Sequence, residues 1–316
     1  MTAQNILVIK LGALGDLVYA MGPMRAIRRH HPDARITALT RAPYHDFLER
    51  SGLFDEVWRD PAPRLWQPGA LLAWRRRLRA AAFDRVYDLQ TSDRSALYFH
   101  LMGPGTRPFW SGVVAGASHR QSEARANDRH TVERQRDQLA LAGIDEVPLV
   151  DLADMAGEIA AFDLPDRFAL LAPGSSSGSD DKRWPAAAYA DLAHRLMARE
   201  VTPVVIGGLE ERSLAGRVLA GLPAGRDLTG QTALVDLPGL AMRAQCAIGN
   251  DTGPMHVVAA AGCPVTMLFS RAEALVKNRP LGPRAEVLFA ADLATVDGAR
   301  VWANVTAALS TDAGLR

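Results

Sequence analysis

Short apolar runs alternate with segments whose apolar positions recur at helical spacing, and this alternation happens twice along the chain. The first series opens with the run "NILVIK", the turn "LGALGD" and then "LVYAMGPMRAIRRHHP", whose helical spacing stops at Pro32. "RITALT" predicts a second strand, residues 70–82 an arginine-rich helix, "AFDRVYDLQ" a further strand and "HTVERQRDQLALAGI" a helix. Residues 103–129, rich in Gly, Pro, Ser and Arg, predict a mobile loop. The pattern weakens over 150–166 and restarts with "FALLA", the Ser-rich "APGSSSGSDDKRWP" and the helical "AAAYADLAHRLMARE". Strand "VTPVVIGG", helix "EERSLAGRVLAGL", strand "CAIGND", helix "GPMHVVAAAG", strand "PVTMLF" and a last helix "GARVWANVTAALS" follow.

Strand, turn, helix, strand is the opening of a doubly wound α/β domain, so the chain is expected to form two such domains, residues 1–160 and 161–316. Ligands of open parallel sheets bind at the carboxyl ends of the strands. The turns at 10–16, 172–184 and 249–256 are therefore where chemistry is expected. No short internal repeat is present.

A length of 316 residues with 48% apolar is enough for two full cores. No apolar run is long enough to span a bilayer, and "MTAQNILVIK" passes directly into a strand pattern, which predicts a cytoplasmic protein without a transmembrane segment. The two cysteines, Cys246 and Cys263, have neither metal-ligand spacing nor a disulfide framework and read as small buried thiols. A net charge of +1 supplies no global reason to bind nucleic acid. Basic residues nevertheless cluster in "RAIRRHH", "RRRLR" and "HRQSEARANDRHTVERQRD", as solvated helix faces or as a locally positive surface of the first half.

The stretch "GNDTGPMHVVAAAGCPVTMLF" contains an Asp-Thr-Gly, but an acid protease needs two such loops in an all-β setting, and here there is one between α/β elements. In the other reading Asp251 and Thr252 cap a helix, Gly253 lets a phosphate approach its N-terminus, and His256 follows at the same end. An ordinary cap beside a polar histidine fits the spacing too. "APGSSSGSDDKRWP" offers backbone and hydroxyl donors with Lys182 as a point charge and Pro185 as first helical residue, either a diphosphate wrap or a flexible Ser-rich loop. It lacks the P-loop spacing. "KLGALGD" is a broken dinucleotide fingerprint, and Asp16 after it reads as a general base or an N-cap. In "GGLEER", Glu210 or Glu211 suits ribose hydroxyls, or simply the positive end of a helix.

Taken together, "ILVIKLGALGDLV", "KRWP" after a Ser-rich loop and "GNDTGPMHVVAAAGCPVTMLF" resemble glycosyltransferase family 9, the bacterial ADP-heptose:lipopolysaccharide heptosyltransferases, from the first strand to about residue 290. The resemblance implies a GT-B fold: two Rossmann-like domains facing a central cleft, the first for the acceptor, the second for the nucleotide-sugar, with the last helix packing back on the first. It implies Asp16 as catalytic base and Lys10 closing the first strand on the acceptor side, with Gly12 and Gly15 between them. Lys182 is implied as the phosphate-contacting, catalytically supporting lysine. Ser175 and Ser176, within the hydroxyl-bearing 175–177, Glu210 or Glu211, and Asp251, Thr252, Gly253 and His256 are implied to hold the donor. Arg94 and His130 are implied to face an acidic acceptor.

The implied reaction is a single inverting displacement transferring heptose from ADP-heptose to a Kdo/heptose lipopolysaccharide core at the inner membrane surface. No obligatory metal or other cofactor is expected, since no Asp-x-Asp stands near the implied diphosphate. Rivals are a transferase of this fold using another nucleotide sugar or a protein acceptor, a nicotinamide-dependent oxidoreductase, and a non-catalytic binding module.

Overall fold

The computed structural model describes residues 4–103, 105, 107–121, 129–175 and 183–312. The chain divides into two compact units, Met1–Leu149 and Val150–Arg316. The first holds strands β1 (Asn5–Ile9), β2 (Arg35–Thr40), β3 (Glu56–Arg59), β4 (Arg85–Asp88), β5 (Phe109–Gly112) and β6 (His119–Arg120). Its helices are α1 (Leu14–His30), α2 (His45–Arg50), α3 (Pro68–Ala80), α4 (Asp93–Met102) and α5 (Thr131–Ala140). The second holds β7 (Phe168–Ala172), β8 (Thr202–Val205), β9 (Arg226–Asp227), β10 (Cys246–Asn250), β11 (Val265–Phe269) and β12 (Ala285–Phe289). Its helices are α6 (Ala186–Met197), α7 (Arg212–Val218), α8 (Leu237–Arg243), α9 (Gly253–Ala260), α10 (Ala272–Asn278) and α11 (Gly298–Asp312).

Each unit builds one six-stranded sheet, ordered β3-β2-β1-β4-β5-β6 in the first and β12-β11-β10-β7-β8-β9 in the second. Every pairing is parallel. Counted from its own first strand, each sheet follows the same doubly wound order, in which the winding reverses between the first and fourth strands. The reversals fall between β1 and β4 and between β7 and β10, and the crevice at a reversal is where such sheets take their ligands.

Central parallel strands are covered on both faces, so they read as unbroken apolar runs; all five residues of β7, of β10 and of β11 are buried. The first core is aromatic around the sheet, with Trp58, Trp74, Tyr98, Phe99 and Trp110, whereas the second is mainly aliphatic around Trp184 and Tyr189.

Three expectations change. Residues 103–129 were read as loop, yet they contain β5 and β6, anchored by Trp110, which is fully buried with its ring edge-on to Phe99 at 5.1 Å. The boundary expected after residue 160 lies before Val150. The reason is packing: the Leu152 N–H donates to the Ala260 carbonyl at 3.0 Å, and a Cβ on Gly239 would come within 2.5 Å of the Gly157 carbonyl oxygen. Pro185, expected as the first helical residue, is instead the extended residue before α6. The last helix, α11, buries Val301 and Val305 in the core of the second unit.

Candidate active site

At the β1–β4 reversal the chain leaves β1 through Lys10, whose ammonium is buried and donates to the Leu89 carbonyl at 3.1 Å. Burial pushes its pKa down, while the nearby charges of Asp16 and Asp88 act in the opposite sense. Asp88 ends β4, and its Oδ1 accepts the N–H groups of Gln90 at 3.1 Å and Thr91 at 2.9 Å. Burial outweighs these bonds and the attraction of Lys10, raising its carboxyl from 3.8 to about 6. Gln90 Oε1 accepts the Leu11 N–H at 2.8 Å and so ties the glycine turn to the end of β4.

That turn sets the position of Asp16. A Cβ on Gly12 would lie 3.1 Å from Asp16 Oδ2 and 3.2 Å from Gln90 Oε1, so glycine leaves the room the carboxylate occupies. The cap of α1 is Ala13, without a side-chain bond, and Asp16 stands in the first helical turn. The N-cap reading of Asp16 is therefore set aside. Among the described residues its half-buried carboxylate accepts no hydrogen bond, and Lys10 is its charged neighbour. Gly15 sits between them in the same first turn.

A small cavity of about 90 Å³ opens here, lined by Lys10, Asp16, Gln121, Arg134, Gln135 and Gln138 among others. Gln138 donates to the carbonyls of Asp88 at 3.0 Å and Ser111 at 3.1 Å, locking α5 across the ends of β4 and β5. Gln135 is different: its amide oxygen and nitrogen are both buried without a hydrogen-bond partner among the described residues. A buried, unpaired amide costs about 1–3 kcal/mol per group, so this one is poised for a ligand that both donates and accepts. Sequence reading passed over Gln121, just after β6, and Gln135 and Gln138 on α5, because polar residues at these places carry no signal until the fold brings them together.

The two basic residues implied for the acceptor do not line this cavity. His130 caps α5, its Nδ1 accepting the Val132 N–H at 3.2 Å, with its ring edge-on to Tyr19 at 5.0 Å. Arg94, in the first turn of α4, reaches the Tyr98 hydroxyl at 3.5 Å, and that hydroxyl donates to Asp60.

At the β7–β10 reversal the organising residue is Asn250, fully buried at the end of β10. Its Nδ2 donates to the carbonyls of Pro173 at 2.8 Å and Gly174 at 3.0 Å, and its Oδ1 accepts from the Trp184 N–H at 3.0 Å and the Tyr189 hydroxyl at 3.2 Å. One amide thus holds both described ends of the Ser-rich segment. Ser176 and Lys182 lie outside the described residues, as does Ser177. Ser175 Oγ accepts from Arg183 Nε at 3.2 Å.

Glycine makes room for both acids, since a Cβ on Gly208 would fall 2.4 Å from Glu210 Oε1. A Cβ on Gly174 would fall 1.3 Å from Glu211 Oε1, and one on Gly207 2.2 Å from Glu211 Oε2, so the Glu211 carboxylate lies directly against the glycine backbone after β7. Its Oε2 accepts the Gly208 N–H at 2.8 Å. Burial raises its pKa and so does Glu210, against the Gly208 and Ser175 N–H groups and Arg183. Glu210 is exposed.

Beyond Asn250, the Asp251 N–H donates to Leu268 O at 3.0 Å, and Asp251 Oδ1 lies 3.2 Å from His256 Nε2. Thr252 caps α9 in extended conformation but its side chain makes no capping bond, and its Oγ1 is buried without a partner among the described residues. Pro254 has no N–H, and those of Met255 and His256 turn back onto Thr252 O at 3.1 and 3.4 Å, which leaves Gly253 at the tip.

Two doubly wound α/β units, each with polar residues at the reversal of its strand order, are the architecture of a two-domain α/β enzyme. The family model of glycosyltransferase family 9 (heptosyltransferase) matches residues 71–297, and the chain belongs to that family. Lipopolysaccharide heptosyltransferase 2 of Escherichia coli (strain K12) is 28% identical over 297 residues, covering 84% of this chain and 82% of its own. Among solved structures, a family 9 glycosyl transferase from Veillonella parvula superposes with a TM-score of 0.84 at 20% identity, covering 98% of this chain and 97% of that one. The E. coli ADP-heptose LPS heptosyltransferase II superposes with a TM-score of 0.80 at 23% identity, covering 98% and 99%. The fold is GT-B and the protein is a glycosyltransferase; the oxidoreductase alternative falls.

Proposed function

We propose that the protein transfers heptose from ADP-heptose to a Kdo/heptose-bearing lipopolysaccharide inner core by one displacement with inversion. Asp16 is the general base: it takes the proton of the acceptor hydroxyl as that oxygen attacks the anomeric carbon. The observation that carries this role is a carboxylate in the first turn of α1, near the charge of Lys10 and lining a polar cavity, that accepts no hydrogen bond among the described residues. Gln135 and Gln121 supply amide contacts to acceptor hydroxyls, and Arg134 supplies charge.

In the second unit Ser175, Ser176, Glu211, Asp251, Thr252, Gly253 and His256 hold the donor. The tip of α9 and Arg183, with Lys182, offset the charge that grows on departing ADP. With that positive charge supplied by the chain, no metal is obligatory, and activity persists in a chelator. The enzyme works as a peripheral protein at the cytoplasmic face of the inner membrane; no described helix is long and apolar enough to cross a membrane. Support comes from family membership and from E. coli relatives named lipopolysaccharide heptosyltransferase 2 and ADP-heptose LPS heptosyltransferase II.

The test is mass spectrometry of products formed on purified core acceptors, with ADP-heptose beside other nucleotide sugars. A heptose mass increment from ADP-heptose is expected. Transfer of a different sugar, or to protein only, would replace the substrate assignment.

A further inference from the structure

The approach to α3 carries a surface made of none of the residues assigned above to the reaction. The Arg64 N–H donates to Gln67 Oε1 at 3.1 Å and the Gln67 N–H returns to Arg64 O at 2.9 Å, closing a tight turn with Leu65 and Trp66 at its corners. Turn corners ordinarily take Gly, Pro, Asn or Asp, for reasons of backbone geometry and solvation. Here two large apolar side chains stand there, each 73% exposed. Leu72 on α3 is exposed as well, and Arg75, Arg76 and Arg79 follow it at the three-, four- and seven-residue spacings that share a helix face.

The opposite face of α3 is occupied, with Trp74 and Leu78 buried and the Arg77 guanidinium 4.0 Å over the Trp58 ring. The Arg64 guanidinium lies 5.2 Å from the Trp66 ring centre. From Pro61 to Ala80 the chain holds five arginines and no acidic residue.

We infer that the Leu65–Trp66 corner and the arginine face of α3 form a docking surface for an anionic lipid bilayer. A convex tip of two side chains offers far less than the roughly 800 Å² per partner of a stable protein interface. It does fit the headgroup zone of a bilayer, where tryptophan is favoured and where each nearby arginine gains from anionic lipid. The inference rests on the peripheral location proposed above only for which membrane is meant. Docking itself requires no sugar transfer.

Flotation of the full chain with phosphatidylcholine vesicles, with and without phosphatidylglycerol, tests it. Circular dichroism and turnover on a water-soluble acceptor are followed in parallel. Binding to the phosphatidylglycerol vesicles is expected, weakening as salt is raised. Trp66→Ala lowers that binding about tenfold or more, Arg76→Ala about fivefold, and both keep the parent's circular dichroism and turnover. No flotation of the parent with anionic vesicles, or equal flotation of Trp66→Ala, overturns the inference. So does self-association that Trp66→Ala abolishes, which gives the corner to a second copy, or a loss of soluble-acceptor turnover at unchanged flotation, which gives it to the acceptor. A parent that floats yet transfers no heptose removes the proposed reaction and leaves the docking surface standing.

Discussion

At the mouth between β1 and β4 the polar groups are buried side chains, Lys10, Asp88 and Gln135, whereas at the mouth between β7 and β10 one buried amide, Asn250, orders backbone groups, with the side chains of Thr252 and His256 buried as well. Both sheets have the same strand order, so topology does not account for the difference. Proton transfer needs a titratable group whose environment is controlled, and the first mouth supplies charges in low dielectric. Holding a diphosphate needs fixed donors and close approach, which glycine backbone and a helix tip supply. In the proposed reaction one fold thus serves two tasks through what its loops present.

The largest effect that would sharpen this contrast is on rate. Asp16→Ala should lower turnover by about 10²- to 10⁴-fold, the usual cost of losing a general base. Steady-state kinetics on a core acceptor measures it; a loss below tenfold would break the assignment of chemistry to the first mouth. Next comes Asn250→Ala, which strips partners from the Trp184 N–H and the Pro173 and Gly174 carbonyls. A stability loss of about 3 kcal/mol or more is expected in urea unfolding, together with weakened ADP binding.

Gly174→Ala is subtler, because the clash is with the far end of the Glu211 side chain, which can swing away. Stability should change little, while ADP affinity falls as far as in Glu211→Ala; differing affinities for the two variants would mean that Glu211 is not the group Gly174 admits. Smaller still, Thr252→Val removes a buried hydroxyl that has no partner among the described residues. Melting temperature should hold or rise slightly, and calorimetric ADP affinity should drop about fivefold, the worth of one ordinary hydrogen bond.

The first mouth also carries a pH signature. Because the Asp88 carboxyl is raised to about 6 in the folded unit from 3.8, its contribution to stability is complete below 3.8 and is lost as pH rises through about 6. Asp88→Asn should flatten the denaturation midpoint across that window. A midpoint that falls equally with pH in the variant would assign the titration elsewhere.

Much of this was legible along the chain. Buried parallel strands leave continuous apolar runs, so "NILVI", "FALLA" and "VTMLF" announce themselves. The short edge strands β6 and β9, two residues each, carry too little pattern to be seen. Asp16, Asp251 and His256 stood out because glycine and cap chemistry mark strand ends. Asn250 did not, although it lies in the same quoted stretch, since its four partners stand 61 to 77 residues away. Likewise Gln138 meets Asp88 across 50 residues, a relation that only the sheet creates.

The division of labour is tested most directly by titrating ADP into the Asp16→Asn full-length protein by calorimetry, with turnover measured on the same preparation. The account predicts parent-like ADP affinity in an enzyme that has all but stopped transferring sugar. ADP affinity falling in step with turnover would contradict it and make Asp16 part of the donor's grip.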